Sequence, residues 1–252
     1  MQGAHYPSLK DRTVLVTGGG SGIGEAIVRQ FVSQGSRVGF IDIDVKASKQ
    51  LLETLPADAR VHFQRADLRD IDALKRAVAG VREALGPVTI LVNNAARDDR
   101  HAIEDVTPEF WDERFAVNLK HQFFCAQAVA PDMIKSGGGS IVNMGSVSWM
   151  IGQGNMPCYT TAKSAVQGLT RALARDLGPN NIRVNSILPG WIMTQRQQDR
   201  WLTPAGEAEL MQRQCLKRKL IPDDIARVVL FFTADDSGGC TNQNYIVDGG
   251  WV

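Results

Sequence analysis

The sequence predicts a single α/β domain built on a doubly wound, mostly parallel sheet. Short runs rich in β-branched residues alternate with longer segments of helical periodicity. Runs such as "TILV" are apolar throughout, which is typical of strands covered by helices on both faces. A chain of 252 residues suits one domain of this class, so we expect the domain to span residues 1–252.

The elements can be placed in order from this alternation. Strands are predicted at 13–17, 37–42, 61–66, 88–94, 140–146 and 182–189. Helices are predicted between them at 22–34, about 44–53, about 70–85, 108–136 and 158–177. Thr107 before Pro108 is typical of a helix start, and Pro222 followed by Asp223 and Asp224 predicts another. Repeated βαβ units of this kind favour right-handed crossovers and parallel strands.

One segment departs from the pattern. Residues 195–220 are polar, long, and follow the end of a predicted strand. Loops of this length inside a single domain are usually functional lids or disordered. We therefore expect a lid over a binding site, with a solvated helical excursion as the alternative.

Composition limits the possible partners. The chain has 28 Lys and Arg against 27 Asp and Glu, so a formal charge of +1 gives no general attraction to nucleic acid or anionic lipid. No segment of the sequence reaches the roughly 18 apolar residues of a membrane span. The cysteines Cys125, Cys158, Cys215 and Cys240 lack metal-ligand spacing. We expect a cytoplasmic protein with reduced thiols, no metal, and a small-molecule partner.

A glycine cluster follows the first predicted strand. The stretch "TGGGSGIG" places Gly18, Gly22 and Gly24 where a tight turn leads into the first helix. Glycine permits unusual φ angles and close approach to a pyrophosphate, and the positive end of the helix dipole favours the anion. Its position between strand and helix makes the cluster a dinucleotide-binding signal.

Acidic residues after the next two strands bear on which dinucleotide is bound. Asp42 closes the second predicted strand, eighteen positions after Gly24. A carboxylate there accepts hydrogen bonds from a ribose diol but repels a 2′-phosphate, so we predict NAD rather than NADP. Asp44 is the alternative for this role. A further alternative is that both acids are ordinary polar residues at a strand end without a ligand. Asp67, after the third strand, is placed to meet the adenine edge, although an isolated loop aspartate has other uses.

A tyrosine and a lysine lie one helical turn apart in the stretch "PCYTTAKSAV". Tyr159 and Lys163, at positions i and i+4, share one helix face. A phenol with an ordinary pKa of about 10 is a poor base at neutral pH, but a nearby ammonium lowers that pKa. The pair therefore indicates proton transfer.

Two further polar residues fit the same site. Ser146 ends the strand at 140–146, at the sheet edge where doubly wound folds bind ligands, and its hydroxyl is able to orient the oxygen being oxidised. Asn118 lies within a predicted helix, and an asparagine that leaves the helical ladder is a candidate to hold a relay water. Taken singly, each residue also has an ordinary explanation. Tyr159 and Lys163 fit surface neighbours, Ser146 fits a cap and Asn118 fits a helix kink.

In this order, the motifs resemble the short-chain dehydrogenase/reductase family across essentially the whole chain. They are "TGGGSGIG", "NNAA" at 93–96, Asn118, Ser146, "YTTAK" at 159–163 and "PGWIMT" at 189–194. The resemblance implies a Rossmann-type fold and oxidation of a CH–OH group with hydride transfer to nicotinamide. It also implies a catalytic tetrad of Asn118, Ser146, Tyr159 and Lys163.

The family implies a role for each member of the tetrad. Tyr159 would be the acid/base and Ser146 would stabilise the oxyanion. Lys163 would lower the tyrosine pKa and hold the nicotinamide ribose, and Asn118 would hold the relay water. Further expected cofactor contacts are Ser21, Ile23, Leu68, Asn94, Pro189, Gly190, Ile192 and Thr194. Ala96 and Thr161 stand where the family has glycine and alanine, and neither removes a catalytic group.

Several stretches resemble a narrower group within that family. "NNAARDDRH" at 93–101, "WLTPAGEAELMQRQCLK" and the final "YIVDGGWV" are similar to bacterial NAD-dependent D-xylose and related aldose 1-dehydrogenases. This implies oxidation of a sugar at C1 to the lactone. Polar side chains pair with sugar hydroxyls and indole rings stack on sugar C–H surfaces. The candidates are Asp98, Arg100, His101, Ser148, Trp149, Asn155, Trp191 and Trp201. The alternatives are a solvated loop whose charged residues pair with one another, and side chains that pack in the core or at an interface.

Two other functions stay open from the sequence. A carbonyl or 3-oxoacyl reductase of the same family is one, although Asp42 and the polar lid favour NAD and a polar substrate. A non-catalytic NAD-binding regulator is the other, and an intact tetrad argues against it. The family further implies a homotetramer built through the helices at 108–136 and 158–177 and through the C-terminal edge.

Overall fold

The computed structural model describes residues 3–252, which form one parallel sheet flanked by helices. The strands are β1 (Thr13–Thr17), β2 (Arg37–Asp42), β3 (Val61–Arg65), β4 (Ile90–Asn93), β5 (Gly139–Met144), β6 (Ile182–Pro189) and β7 (Asn244–Val247). Their spatial order is β3-β2-β1-β4-β5-β6-β7, and each neighbouring pair is parallel. The doubly wound fold predicted from the sequence is confirmed.

Helices connect these strands in the described part of the chain. They are α1 (Gly22–Ser33), α2 (Val45–Thr54), α3 (Ile71–Leu85), α4 (Pro108–Phe115), α5 (His121–Lys135), α6 (Pro157–Leu177), α7 (Gln195–Arg200), α8 (Pro204–Arg213) and α9 (Pro222–Thr233). The Thr107 side chain accepts from the Phe110 amide at 3.2 Å, and Asp224 accepts from the Ile221 amide at 2.9 Å. Both helix starts inferred from proline and its neighbours are confirmed. None of the helices within residues 3–252 combines the length and apolar character needed to cross a membrane.

Two apolar layers cover the sheet. Val14 and Val16 of β1 pack into the layer that contains Phe31 of α1, whereas Leu15 packs into the opposite layer with Leu74 of α3. β1 and β4 are buried over their whole length because helices cover both faces. This arrangement explains the continuous apolar runs in the sequence.

The structure differs from the sequence pattern in three places. A π-helical turn, Ala116–Lys120, interrupts the helix predicted over 108–136. The polar segment 195–220 contains α7 and α8, and its last residue, Leu220, forms a β-bridge with Ile192. β7 is not predicted from the pattern, because this strand lies at the sheet edge and is four residues long and partly exposed.

The strand order places a crevice at the carboxyl ends of β1 and β4. The chain moves from β1 towards β2 and β3, but from β4 towards β5 and β6. With right-handed crossovers, the two connections leave the sheet on opposite faces. Side chains that follow β1, β4, β5 and β6 therefore meet at one edge.

Candidate active site

The loop between β1 and α1 requires glycine at two of the predicted positions. Gly18 has a φ of +65°, and a Cβ on it would lie 2.8 Å from the Ala95 Cα. A Cβ on Gly24 would overlap the Gly18 carbonyl oxygen. Glycine thus brings the loop, the first turn of α1 and the chain after β4 into direct contact, as a dinucleotide-binding turn requires.

The N-terminus of α1 differs from those of its neighbours. Ser21 is the N-cap residue, yet among the described residues its side chain makes no capping hydrogen bond. Asp44 and Asp70, by contrast, cap α2 and α3 by accepting from first-turn amides. The first-turn amides of α1 are therefore free to bind an anion, which the helix dipole favours. Ile23, in the same turn, lines the cavity described below.

Asp42 lies at the end of β2 and contacts the glycine loop. Its Oδ2 accepts from the Gly20 amide at 2.8 Å and its Oδ1 from the Asp44 amide at 2.9 Å. Each carboxylate oxygen keeps a lone pair, so both can still accept from a ribose diol. Asp44, the alternative, accepts from the Ala47 amide at 3.0 Å and caps α2, which accounts for this residue without a ligand.

Asp67, after β3, is paired within the chain. Both of its carboxylate oxygens accept from Arg69, whose guanidinium also contacts Glu113 at 2.7 Å. The hydrogen bond from Arg69 holds the pKa of Asp67 below its usual range. Leu68 is buried in the apolar layer beside α3. Their contact with adenine stays a prediction.

The other expected cofactor contacts gather at the crevice. The Asn94 side chain donates to the carbonyls of Thr17 and Gly18, both at 3.0 Å, and so ties the glycine loop to the end of β4. The Thr194 methyl lies against Gly22, where a Cβ would come within 3.1 Å of it. Asn94, Pro189, Gly190, Ile192 and Thr194 line one cavity together with Ile23.

This cavity, of about 410 Å³, also holds three of the four predicted catalytic residues. Ser146 follows β5 and accepts from the Ser148 amide at 3.1 Å. Tyr159 and Lys163 lie in the first two turns of α6. The buried Lys163 Nζ donates to the Met144 carbonyl at 2.7 Å and lies 5.7 Å from the centroid of the Tyr159 ring. The structure thus brings a hydroxyl, a phenol and an ammonium to one wall.

Burial controls the protonation of this group. Burial raises the pKa of Tyr159 and the charge of Asp98 acts in the same direction, whereas a hydrogen bond with Ser146 and the charge of Arg100 oppose them. Burial lowers the pKa of Lys163 to about 8, against the charge of Asp98. The direction for Tyr159 is opposite to the one predicted from a neighbouring ammonium, because desolvation of the phenolate is the larger effect.

Asn118 lies in the π-helical turn and is fully buried. Its Nδ2 donates to the carbonyls of Arg114 at 2.9 Å and Arg97 at 3.1 Å, and its Oδ1 accepts from the Arg97 amide at 2.8 Å. The side chain thus bonds to a carbonyl of the preceding helical turn, as asparagine does when it competes with the backbone for hydrogen bonds. Both of its N–H groups are used, so Asn118 clamps the chain after β4.

The predicted substrate residues all lie in the described chain, and five of the eight line the cavity: Asp98, Arg100, Ser148, Trp191 and Trp201. His101 instead accepts from the Cys158 amide at 3.3 Å through Nε2, and thereby holds the first turn of α6. The Asn155 carbonyl accepts from the His101 amide at 2.8 Å. Trp149 lies in the short turn after β5, away from the cavity lining. These three residues therefore lie outside the cavity lining.

The lid closes on the chain after β4 through polar contacts. Gln197 of α7 donates to Asp98 at 2.6 Å and accepts from the Trp191 indole at 2.9 Å. Arg196 pairs with Asp99 at 2.6 Å and with Asp98 at 3.4 Å. The charged loop after β4 is therefore largely paired within the chain, as the alternative interpretation holds, while Asp98 still lines the cavity.

Sequence reasoning missed several lining residues. They include Gln153, Met156, Gln197, Gly206, Glu209 and Trp251. Lid positions carry no periodic signal, so a turn such as the one that places Gly206 against Trp191 cannot be inferred from spacing. Trp251 lies in the "YIVDGGWV" stretch, which is the signal that could have identified it. Of the two departures from the family pattern, Ala96 lines the cavity and Thr161 is exposed on α6.

The sequence and the fold of this chain match those of known proteins. A family model described as enoyl-(acyl carrier protein) reductase matches residues 18–252. A protein of Rhizobium meliloti named "Probable galactose dehydrogenase" is 51% identical to this chain, over 98% of this chain and 97% of its own length. This chain belongs to the short-chain dehydrogenase/reductase family. A D-xylose 1-dehydrogenase of Caulobacter vibrioides is 46% identical over 100% of both chains.

A solved structure of the short-chain dehydrogenase/reductase family matches closely. A 7α-hydroxysteroid dehydrogenase complexed with NADH and 7-oxo glycochenodeoxycholic acid has a TM-score of 0.93 and 31% identity, covering 99% of this chain and 98% of that chain. Family membership confirms the resemblance seen in the sequence motifs, the Rossmann-type fold and the oxidoreductase class.

Proposed function

We propose that this chain is an NAD-dependent aldose dehydrogenase that oxidises C1 of a sugar, such as D-xylose, L-arabinose or D-galactose, to the lactone. The observation that carries the proposal is one cavity that is lined both by Ser146, Tyr159 and Lys163 and by polar and tryptophan residues of the lid and the neighbouring segments. The names of two relatives, a galactose dehydrogenase and a D-xylose 1-dehydrogenase at 51% and 46% identity, support it.

The cavity suits a small polyol. Its volume of about 410 Å³ falls in the range of about 300–1,000 Å³ typical of small-molecule sites. Asp98, Gln197 and Arg100 supply acceptors and donors on its wall, which matters because each unpaired buried hydroxyl costs about 1–3 kcal/mol. The Arg100 guanidinium lies 5.1 Å from the Trp201 ring centroid, so a charged group and an apolar face adjoin.

The glycine loop fits a dinucleotide. Gly18 and Gly24 admit no side chain, and the first-turn amides of α1 are free for a pyrophosphate. Asp42 supports NAD over NADP, because its oxygens accept from ribose hydroxyls and their charge repels a 2′-phosphate. When bound, NAD supplies the ring that accepts hydride from C1.

The chain's own residues then handle the proton. Tyr159 removes the proton of the C1 hydroxyl, while the Ser146 hydroxyl donates to the same oxygen and stabilises its developing charge. Lys163, fixed by the Met144 carbonyl, places an ammonium beside the phenol. Since burial raises the pKa of Tyr159, the oxidation is favoured by alkaline pH. Asn118 holds the segment that carries Asp98. We also propose that Asn118 holds the relay water, which is the role that the family implies for it.

We also propose a homotetramer. Trp111 of α4 and Phe123 of α5 each expose large apolar surface. Phe231 of α9 and Tyr245 of β7 do so at the C-terminal edge. Two separate apolar patches are what closed dihedral assembly requires. Sedimentation of the purified chain at several concentrations tests this, and a monomer throughout would refute it.

The function is tested by following NADH absorbance. The purified chain is incubated with NAD or NADP and with D-xylose, L-arabinose, D-galactose or D-glucose. A secondary alcohol, and a 3-oxoacyl thioester with NADH, serve as controls, and Tyr159→Phe serves as the inactive match. Rapid NAD reduction by one or two sugars is expected. Turnover of the thioester alone would replace the proposal with a carbonyl reductase, and NAD binding without any turnover would favour a regulator.

A further inference from the structure

The C-terminal tail (residues 248–252) reaches the same cavity as the catalytic residues. Trp251, next to the last residue, lines the wall together with Trp191 and Trp201. These tryptophans come from three separate segments: the chain after β6, the turn between α7 and α8, and the tail. Three tryptophans from distant positions of the chain therefore line the cavity that also holds the proposed catalytic residues.

The backbone around Trp251 is fixed. Asp248 is buried, and its carboxylate accepts from the Gly250 amide at 2.7 Å and the Val252 amide at 2.9 Å. Gly249 and Gly250 have φ angles of +71° and +80°, which favour glycine. Trp251 thus lies between two amides held by one carboxylate, so its backbone position is fixed.

The tail is also joined to the end of the lid. The Cys215 amide donates to the Gly250 carbonyl at 3.1 Å, and the Leu216 amide donates to the Gly249 carbonyl at 2.9 Å. A Cβ on Gly249 would come within 2.5 Å of the buried Gln214 side chain. The tail and the segment after α8 therefore pack as one unit. The position of Trp251 is thus coupled to the position of the lid.

We propose that Trp251 is a specificity-determining residue for the sugar, and that Asp248 is the residue that positions it. This inference rests on the proposed function. An indole face packs on the C–H face of a pyranose, while Asp98 and Gln197 line the same cavity and offer partners for its hydroxyls. A ring at that place limits the size of the substituent at the far end of the sugar, so it discriminates between pentoses and hexoses.

The test compares Trp251→Ala, Trp251→Phe and Asp248→Asn with Val252→Ala, a change at the neighbouring exposed residue. Steady-state kinetics are measured with D-xylose and D-galactose. For Trp251→Ala we expect the sugar KM to rise about tenfold, the loss of one aromatic contact, with kcat and the KM for NAD close to wild type. The ratio of kcat/KM between the two sugars should also change, whereas Trp251→Phe and Val252→Ala should keep most of the wild-type behaviour.

A double variant separates positioning from general stability. Asp248→Asn should raise the sugar KM in the same direction, and adding it to Trp251→Ala should raise KM no further, because Asp248 acts through the indole. Wild-type sugar KM and an unchanged sugar ratio in Trp251→Ala would overturn the inference while leaving the proposed function intact. A wild-type chain that oxidises none of the sugars would refute the proposed function itself, and the inference with it.

Discussion

Asp99 is the residue whose replacement should loosen the substrate side of the site. Its carboxylate contacts Arg114 at 2.6 Å, Arg196 of the lid at 2.6 Å and Arg97 at 2.8 Å. The Arg114 side chain is only 6% exposed and that of Asp99 is 24% exposed. Burial would raise the pKa of Asp99, but the hydrogen bond from Arg114 and the charges of Arg97 and Arg196 outweigh it and lower that pKa. The charge of Asp99 therefore contributes to stability.

The structure allows an estimate of the size of this effect. Breaking a buried ion pair costs about 3–5 kcal/mol, and exposed pairs are worth about 0–1 kcal/mol. Asp99→Asn removes one carboxylate partner of the nearly buried Arg114. Glu113 stays beside that guanidinium, however, and Asp99 is itself partly solvated. We therefore expect a loss of about 2 kcal/mol in the free energy of unfolding, which lowers Tm by about 4–8 °C for a domain of this size.

Urea denaturation followed by circular dichroism measures the change, with Asp105→Asn as the control in an exposed position of the same loop. The sugar KM should also rise for Asp99→Asn, because Asp98 is carried by the same segment. A folded-state pKa below the unfolded value means that this stability is present above about pH 4 and is lost as pH falls through the lowered pKa of Asp99. The reasoning is refuted if Asp99→Asn is as stable as Asp105→Asn at neutral pH.

Three further outcomes are expected at the catalytic and cofactor residues. Tyr159→Phe should lower turnover at least about a hundredfold without weakening NAD binding, measured by nucleotide fluorescence, and activity close to wild type would remove its role as base. Asp42→Ala should lower the NAD over NADP ratio of kcat/KM, and an unchanged ratio would move the discrimination to Asp44 or elsewhere. Asp98→Asn should shift the rise of the oxidation rate with pH to lower pH, because the Asp98 charge raises the pKa of Tyr159. Asp98→Glu, which keeps the charge, should leave this rise in place, and the same pH dependence for the two variants would contradict the electrostatic argument.

Much of the fold can be predicted because its strands are covered on both faces. Continuous apolar runs such as the one in β4 then alternate regularly with amphipathic helices. β7 escapes the pattern, since its place at the sheet edge leaves Tyr245 exposed and requires few apolar side chains. The pair Tyr159 and Lys163 can be recognised because a single helical turn sets its geometry.

The properties that arise from distant contacts could not be predicted from spacing. The pKa of Tyr159 depends on enclosure and on Asp98, which approaches from another segment. His101 follows a strand in the expected place, yet its imidazole accepts from the Cys158 amide and does not line the cavity. In each case the partner is separated by tens of residues, so local sequence carries no record of it.

The pairing of lid and tail has a consequence for how new substrates can arise. Gly249 and Leu216 join two segments that both follow β6, whereas Ser146, Tyr159 and Lys163 all precede it. The lid and the tail, with Gln197, Trp201 and Trp251, therefore lie after β6, whereas Asp98, Arg100 and the residues proposed for proton transfer precede it. Exchange of the segment after β6 between relatives would replace the lid and the tail together, so the hydrogen bonds between them would be kept while the residues proposed for proton transfer stay unchanged.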